Sequence, residues 1–390
     1  MPPSDSHRLD RRAFVRLTAL ASASCLLPFS LARRPPAPAD GAPAGPLDEA
    51  LEIIARTGPE YNGLLANHAP MGAEALAAMG RADAILPWLA WYQSKKNLQP
   101  PPGTHQAISN GSWREALGDG RRMGDWGAFF QGLLQEGDWT FVLARWVDRL
   151  APGMTASAAH GVLRTAHAAR ALAAADTPPR RHELAQGLAY WAARYQALPG
   201  WNSTAGGTLL PSEALAQVER RSDLRRAPAS NLVERLRLLE KVDDFAAVIE
   251  LVDPERDPSV FLSDLSATFA EVYLANATDF GSVIGFVHGV TGPGAVRLLL
   301  PHVPEKTRRS LLRYAWQMAA AFYATMARRP PVKKTEGKAP DPEELIERAV
   351  RARGAHSIKF TETCLREHAL HPDPAYLLAA AHSIEALGEL

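Results

Sequence analysis

Two residues near the C-terminal end stand at a spacing that chemistry can use. In the stretch Gly354-Ala355-His356-Ser357-Ile358-Lys359-Phe360-Thr361-Glu362-Thr363-Cys364, His356 and Lys359 are three apart. On a helix that spacing puts both on one face, with Cβ atoms roughly 5–6 Å apart. An ammonium repels a cation, so the pair suits a metal only if the lysine is neutral or bears a carbamate. The carbamate would turn it into an oxygen ligand. Three more histidines lie in apolar surroundings: His68, His160 and His288. The expectation is that all of these meet at one metal in an all-helical protein. Imidazole nitrogen with carboxylate-like oxygen suits Fe(II), Mn(II) or Zn(II). Burial lowers the pKa of a lysine, so a buried Lys359 can be neutral and add CO₂. The competing reading pairs Lys359 with Glu362 as an ordinary surface ion pair and leaves the histidines as hydrogen-bonded core residues.

Two further groups fall within the same stretches. His160 and His167 are seven apart, two turns along one helical face, and Arg164 shares that stripe. An apolar helix gains nothing from three such groups unless they meet partners, and Arg164 and His167 are the candidates for catalysis. Phe286-Val287-His288-Gly289-Val290-Thr291-Gly292-Pro293-Gly294 sets a histidine against a Gly-rich turn. The spacing is not that of a dinucleotide loop and no βαβ unit surrounds it, so the glycines read as close packing around His288. No Cys-x-x-Cys, His-Glu-x-x-His or Gly-x-Ser-x-Gly motif is present.

The elements that must position these residues read as helices throughout. Of the 390 residues 46% are apolar, enough for a sizeable core, and the formal charge of +1 gives no field toward nucleic acid. Alanine and leucine are abundant and β-branched residues sparse, which favours helix over sheet. Helical spacing is expected over 47–56, 70–79, 83–92, 126–134 and 139–150. It recurs over 155–175, with Thr155 as N-cap, and over 183–198, 231–239, 244–252, 259–276, 306–328, 343–353, 356–368 and 374–387. Residues 280–288 fit strand or helix equally. No strand alternation is sustained and no repeat period recurs, so a solenoid is not supported. The expected fold is one large all-α domain of roughly fifteen helices over residues 47–390. Its nine tryptophans, Trp88, Trp91 and Trp126 among them, read mostly as core, with an aromatic pocket as the alternative.

The first 32 residues read as a targeting segment. Asp10-Arg11-Arg12-Ala13-Phe14 precedes a short apolar run ending near Ser30-Leu31-Ala32, the layout of a signal peptide of the twin-arginine type. The run is too short to span a membrane. Residues 33–46 are a Pro/Ala-rich flexible linker. The expectations are export through the twin-arginine machinery to the periplasm or beyond, and no transmembrane segment in the mature chain. A lipid anchor at Cys25 is the lesser alternative. Without Cys25 the chain keeps one thiol, Cys364, and no internal disulfide.

Several short motifs fall in a familiar order: Asn67-His68, His160-Gly161-Val162-Leu163-Arg164-Thr165, Leu188-Ala189-Tyr190, His288-Gly289-Val290-Thr291-Gly292 with Leu298-Leu299-Leu300-Pro301, and His356-Ser357-Ile358-Lys359. In that order and spacing the chain, from about Leu47 onward, resembles the questin oxidase-like proteins. The resemblance implies a helical oxygenase of polyketide anthraquinones, acting by Baeyer–Villiger oxidation or ring cleavage. It implies a non-heme iron, Fe(II), on His68, His160, His288, His356 and a carboxylated Lys359. O₂ and a small aromatic substrate would be its partners, with NADPH as electron donor. The chain departs from the fungal pattern in carrying Pro70 and Met71, and Arg164, where further histidines are usual, and in its export signal. Outside the resemblance stand a helical binding protein with a structural metal or none, and a zinc hydrolase.

Overall fold

The computed structural model describes residues 45–332 and 338–388. The signal segment 1–32 and the linker as far as residue 44 lie outside the described residues. Seventeen α-helices occur among the described residues, joined by short 3₁₀ turns, and the only sheet among them is a two-residue hairpin. The all-α expectation holds.

Four helices position the histidines. Ala69–Ala78 begins directly after His68, while His160–Ala174, Phe280–Leu299 and Ala355–Leu370 carry His160, His288 and His356. The Ala69–Ala78 helix has almost no polar face, with eight consecutive buried residues from Ala69 to Leu76. Such a helix belongs inside a core. Phe280–His302 is long and apolar enough to cross a membrane, but 78% of its apolar window is buried within the protein, as in a core helix.

The strand-or-helix ambiguity at 280–288 resolves as helix. Asp279 supplies the start: its carboxylate accepts from the Ser282 N–H at 3.0 Å, and the Ser282 hydroxyl returns to the Asp279 N–H. The expected Gly-rich turn after His288 is absent, because the helix runs on through Gly289, Gly292, Pro293 and Gly294 to Leu299. Close packing is the reason the glycines are there. A Cβ at Gly289 would sit 2.7 Å from the Phe269 ring, and one at Gly292 would sit 2.2 Å from the Met318 methyl.

Thr155 is not the N-cap of the His160 helix. Its hydroxyl donates to the Gln196 carbonyl at 2.6 Å, and the chain then makes a left-handed turn. Ser157, Ala158 and Ala159 have φ of 48°, 54° and 78°, and helix begins only at His160. The helix expected from 183 instead starts at Pro178, where a proline costs nothing in the first turn. The hairpin pairs Tyr61 with Leu65 around Asn62, φ 44°, and Gly63, φ 93°. Strands of two residues leave no alternation to read.

Most of the tryptophans follow the core reading, while Trp201 is exposed and Trp91 and Trp139 are half-buried. Trp126 stacks on Phe130 with centroids 5.5 Å apart and meets Trp146 edge-on. The main core and a smaller cluster around Leu51, Ile85, Trp88 and Ile358 flank the four histidine helices.

Candidate metal centre

The four histidines converge, three of them from the starts of their helices. His68 is the residue before Ala69, and its own N–H donates to the Tyr92 hydroxyl at 3.0 Å. Asn67 holds that corner. Its side-chain oxygen accepts from the Ala69 N–H, and its amide donates to Thr57 and to the Gly58 carbonyl. His160 opens its helix, and the left-handed turn brings the Ser157 carbonyl back to its ring at 2.6 Å from Nδ1. His288 lies mid-helix, with Nδ1 2.7 Å from the Ile284 carbonyl. His356 and Lys359 lie one turn apart at the start of their helix.

The ring centroids of His68 and His356 are 4.2 Å apart, those of His68 and His160 4.8 Å, and those of His160 and His288 4.7 Å. Ligand atoms of His68, His160 and His356 all fall within 4.8 Å of one another. His160 Nε2 is 2.8 Å from His68 Nε2 and 3.3 Å from His288 Nε2.

These contacts cannot all be hydrogen bonds. A carbonyl only accepts, so Nδ1 of His160 and of His288 each carry the hydrogen, and each Nε2 is a bare lone pair. Those two lone pairs face each other. One hydrogen from His68 could satisfy His160, but nothing then satisfies His288. His356 Nε2 is buried and has no hydrogen-bond partner among the described residues. A cation at the point of convergence is what such a donor set fits.

Charge supports the same fit. Burial first, then the nearby Lys359 charge and the other rings, push His68 and His356 well below the usual histidine value. Burial and the charges of His288 and Lys359 do the same to His160. Burial and Lys359 pull His288 down to about 3. The imidazoles are therefore neutral near pH 7, the form that ligates.

Lys359 is 2% exposed and has no hydrogen-bond or ion-pair partner among the described residues. Burial lowers its pKa to about 7. The surface pair with Glu362 does not form. Glu362 is itself buried and held by Arg170 and by Arg366, the latter at 3.1 Å. Burial alone would raise the Glu362 carboxyl, but those two guanidinia hold it well below the usual range.

A layer of ion pairs lies on the same four helices, toward their other ends. Glu74 takes Arg170 at 2.7 Å and His167 Nδ1 at 2.6 Å. Arg366 and Arg297 both reach Glu367, at 2.7 and 2.9 Å. Glu74, Glu362 and Glu367 thus stand against Arg170, Arg366 and Arg297. His167 is part of this layer. Arg164 makes a two-point pair with Glu183, at 2.6 and 2.8 Å. Neither of these candidates for catalysis lines a cavity at the histidines. Arg164 Nε and one terminal nitrogen, and His167 Nδ1, are committed to carboxylates on neighbouring helices. Pro70 and Met71 are buried in the first turn of their helix and line no cavity there either.

Two cavities open onto the histidines. The larger, about 420 Å³, reaches His68, His160, His288 and His356, and its walls include Leu64, Leu232, Val233 and Met326. The other, about 360 Å³, reaches His68 and His356. Leu65, Phe280 and Ile284 line both. No tryptophan lines either, so the tryptophan-lined pocket expected as an alternative does not form there, and the aromatic walls come from Tyr61, Tyr92 and Phe280 instead.

Sequence reasoning found the histidines but missed their supports. Tyr190 is the clearest case. Its hydroxyl meets Ser157 Oγ at 2.7 Å and donates to Glu60, which Arg194 holds in turn. This brace fixes the turn that aims His160. A tyrosine in a family motif was the only signal, and nothing in the sequence names its partner.

Residues 65–364 match the family model described as questin oxidase-like. No curated protein matches the chain. The match takes in all four histidines and Lys359. The chain belongs to the questin oxidase-like family, which implies an oxidoreductase and is compatible with a metal held by the His68, His160 and His356 cluster.

Proposed function

We propose that the protein is a non-heme iron oxygenase of an aromatic or quinone-like substrate, acting by Baeyer–Villiger oxidation or ring cleavage. The observation that carries this reading is the set of imidazole Nε2 atoms aimed at one another with too few hydrogens to satisfy them all, beside a largely apolar cavity of about 420 Å³. His68, His160, His288 and His356 would hold the metal, and Lys359 would add an oxygen ligand as its carbamate. Bound iron would supply activation of O₂. Leu65, Phe280 and Ile284, which line both cavities, would seat a flat ring and keep water out. His160 and His288 keep their δ hydrogens on backbone carbonyls, which fixes the ligating tautomer. His167 and Arg164 would act at a distance, by holding Glu74 and Glu183 and with them the packing of the helices. NADPH would be the electron donor where the reaction needs one.

Metal analysis of protein purified without chelators tests the reading. One iron per chain is expected, with oxygen uptake on addition of a hydroxylated anthraquinone. Stoichiometric zinc and no oxygen uptake would point to a hydrolase, and no metal at all to a binding protein.

Export is a separate proposal, resting on Arg11-Arg12 and Phe14 ahead of an apolar run. Changing both arginines to lysine is expected to leave the protein in the cytoplasm. Unchanged export of that variant would overturn it.

A further inference from the structure

The second cavity at the histidines differs from the first in its cations: the first has Arg235, which already donates to the Leu224, Arg225 and Ala227 carbonyls. The walls of the second are Tyr61, Tyr92, Leu65, Phe280 and Ile284, and its cations are Lys95 and Lys96. No aspartate or glutamate lines either cavity among the described residues. Lys96 follows the end of the Ile85–Lys95 helix in an extended conformation. Its ammonium stands 5.7 Å over the Tyr61 ring. It has no carboxylate partner among the described residues. Burial pulls it below the ordinary lysine value.

A lysine after a helix end usually complements the last carbonyls. Lys96 makes no such hydrogen bond among those described. It shares a wall with His356 instead. A half-buried cation in an apolar, aromatic-walled space, without an acid to neutralise it, is a place for an anion supplied from outside.

We propose that Lys96 is a specificity-determining residue that recognises an ionised oxygen group, a carboxylate or acidic phenolate, on an aromatic substrate. The ring would lie between Tyr61 and the Leu65, Ile284 and Phe280 partition, with its anionic end at Lys96 and its body toward His68 and His356. This deepens the reading of the site as an oxygenase of aromatic compounds and rests on it for the substrate's ring. The recognition itself requires only the cavity and the lysine.

The test is a binding titration of the full-length, iron-loaded protein with two probes of one shape. Anthraquinone-2-carboxylate is charged, and anthraquinone-2-carboxamide is its neutral counterpart. Protein fluorescence quenching reads both. The carboxylate is expected to bind about tenfold or more tightly, the scale of one charge-assisted hydrogen bond. Lys96→Met should erase that ratio and Lys96→Arg should keep most of it, with iron content unchanged in both. Equal binding of the two probes, no binding of either, or a ratio that survives Lys96→Met would each overturn the proposal. Failure of the oxygenase reading looks different, since the charge preference would remain while no quinone provoked oxygen uptake.

Discussion

His356→Ala is expected to lose its metal and, with it, more than about 100-fold of activity, while the metal-free fold survives. The effect should exceed the 10–100-fold typical of residues that only support a ligand. The reason lies in what His356 does without a metal. Its Nε2 is buried and has no hydrogen-bond partner, so its removal breaks no bond. Its neighbours are other imidazoles and a lysine, none of which depends on it for a hydrogen bond. The metal-free variant should therefore melt within a few degrees of metal-free wild type. His160→Ala is the contrast. It removes the ring donor to the Ser157 carbonyl at 2.6 Å and leaves only the longer His160 backbone N–H at 3.3 Å, which costs about 1 kcal/mol, and it should lower both metal content and stability. Iron content by elemental analysis and melting by circular dichroism read the two effects separately. Full occupancy in both variants would make these core histidines and nothing more.

Lys359→Met separates two roles of opposite sign. As a plain buried amine without a partner among the described residues, Lys359 is a burden, and an apolar side chain of similar length should leave the protein equally stable or more so. As a carbamate ligand it is needed, and its loss should cost metal and activity together. Electrostatics favour the carbamate once a metal is present. At an effective dielectric constant of about 20, a unit charge pair at ~4 Å interacts by roughly 4 kcal/mol, and a divalent ion doubles that. An ammonium facing the metal would bear that repulsion. A carbamate reverses its sign and supplies an anionic donor where the cluster offers only neutral imidazoles. Lys359→Ala should regain part of its iron when short carboxylic acids are added, and wild-type loading should slow in buffer stripped of bicarbonate. A Lys359→Met protein with full iron and full activity would rule out the ligand role.

Much of the fold was legible because helical periodicity survives in single segments. The 374–387 helix has its expected limits, and the 139–150 helix does too. What was not legible depended on contacts between segments. The His160 helix starts five residues after Thr155 because Tyr190 and Gln196, more than 30 residues on, claim the polar groups of the turn before it. Glycines and a proline after His288 read as a turn because the segment alone does not contain Phe269 and Met318, against which a side chain would clash. The meeting of the histidines was legible from their types and apolar surroundings, and the burial of Lys359 one turn from His356 from its spacing. Glu362 was misplaced, since a glutamate one turn from a lysine normally marks a solvated face. Here Arg170, from a helix nearly 200 residues earlier in the chain, takes it into the interior.

The turn before His160 also bears on how the protein could be stabilised. Three successive residues with positive φ, none of them glycine, each hold about 1–3 kcal/mol of backbone strain that the surrounding packing must overcome. A search for thermostable variants would therefore be drawn to glycine at 158 or 159, where relief is available at once. Such a variant would gain melting temperature and give up the stiffness that aims the imidazole. Durability and the aim of the imidazole would then be set against each other at one turn of backbone, directly before His160 and in the wall of the larger cavity.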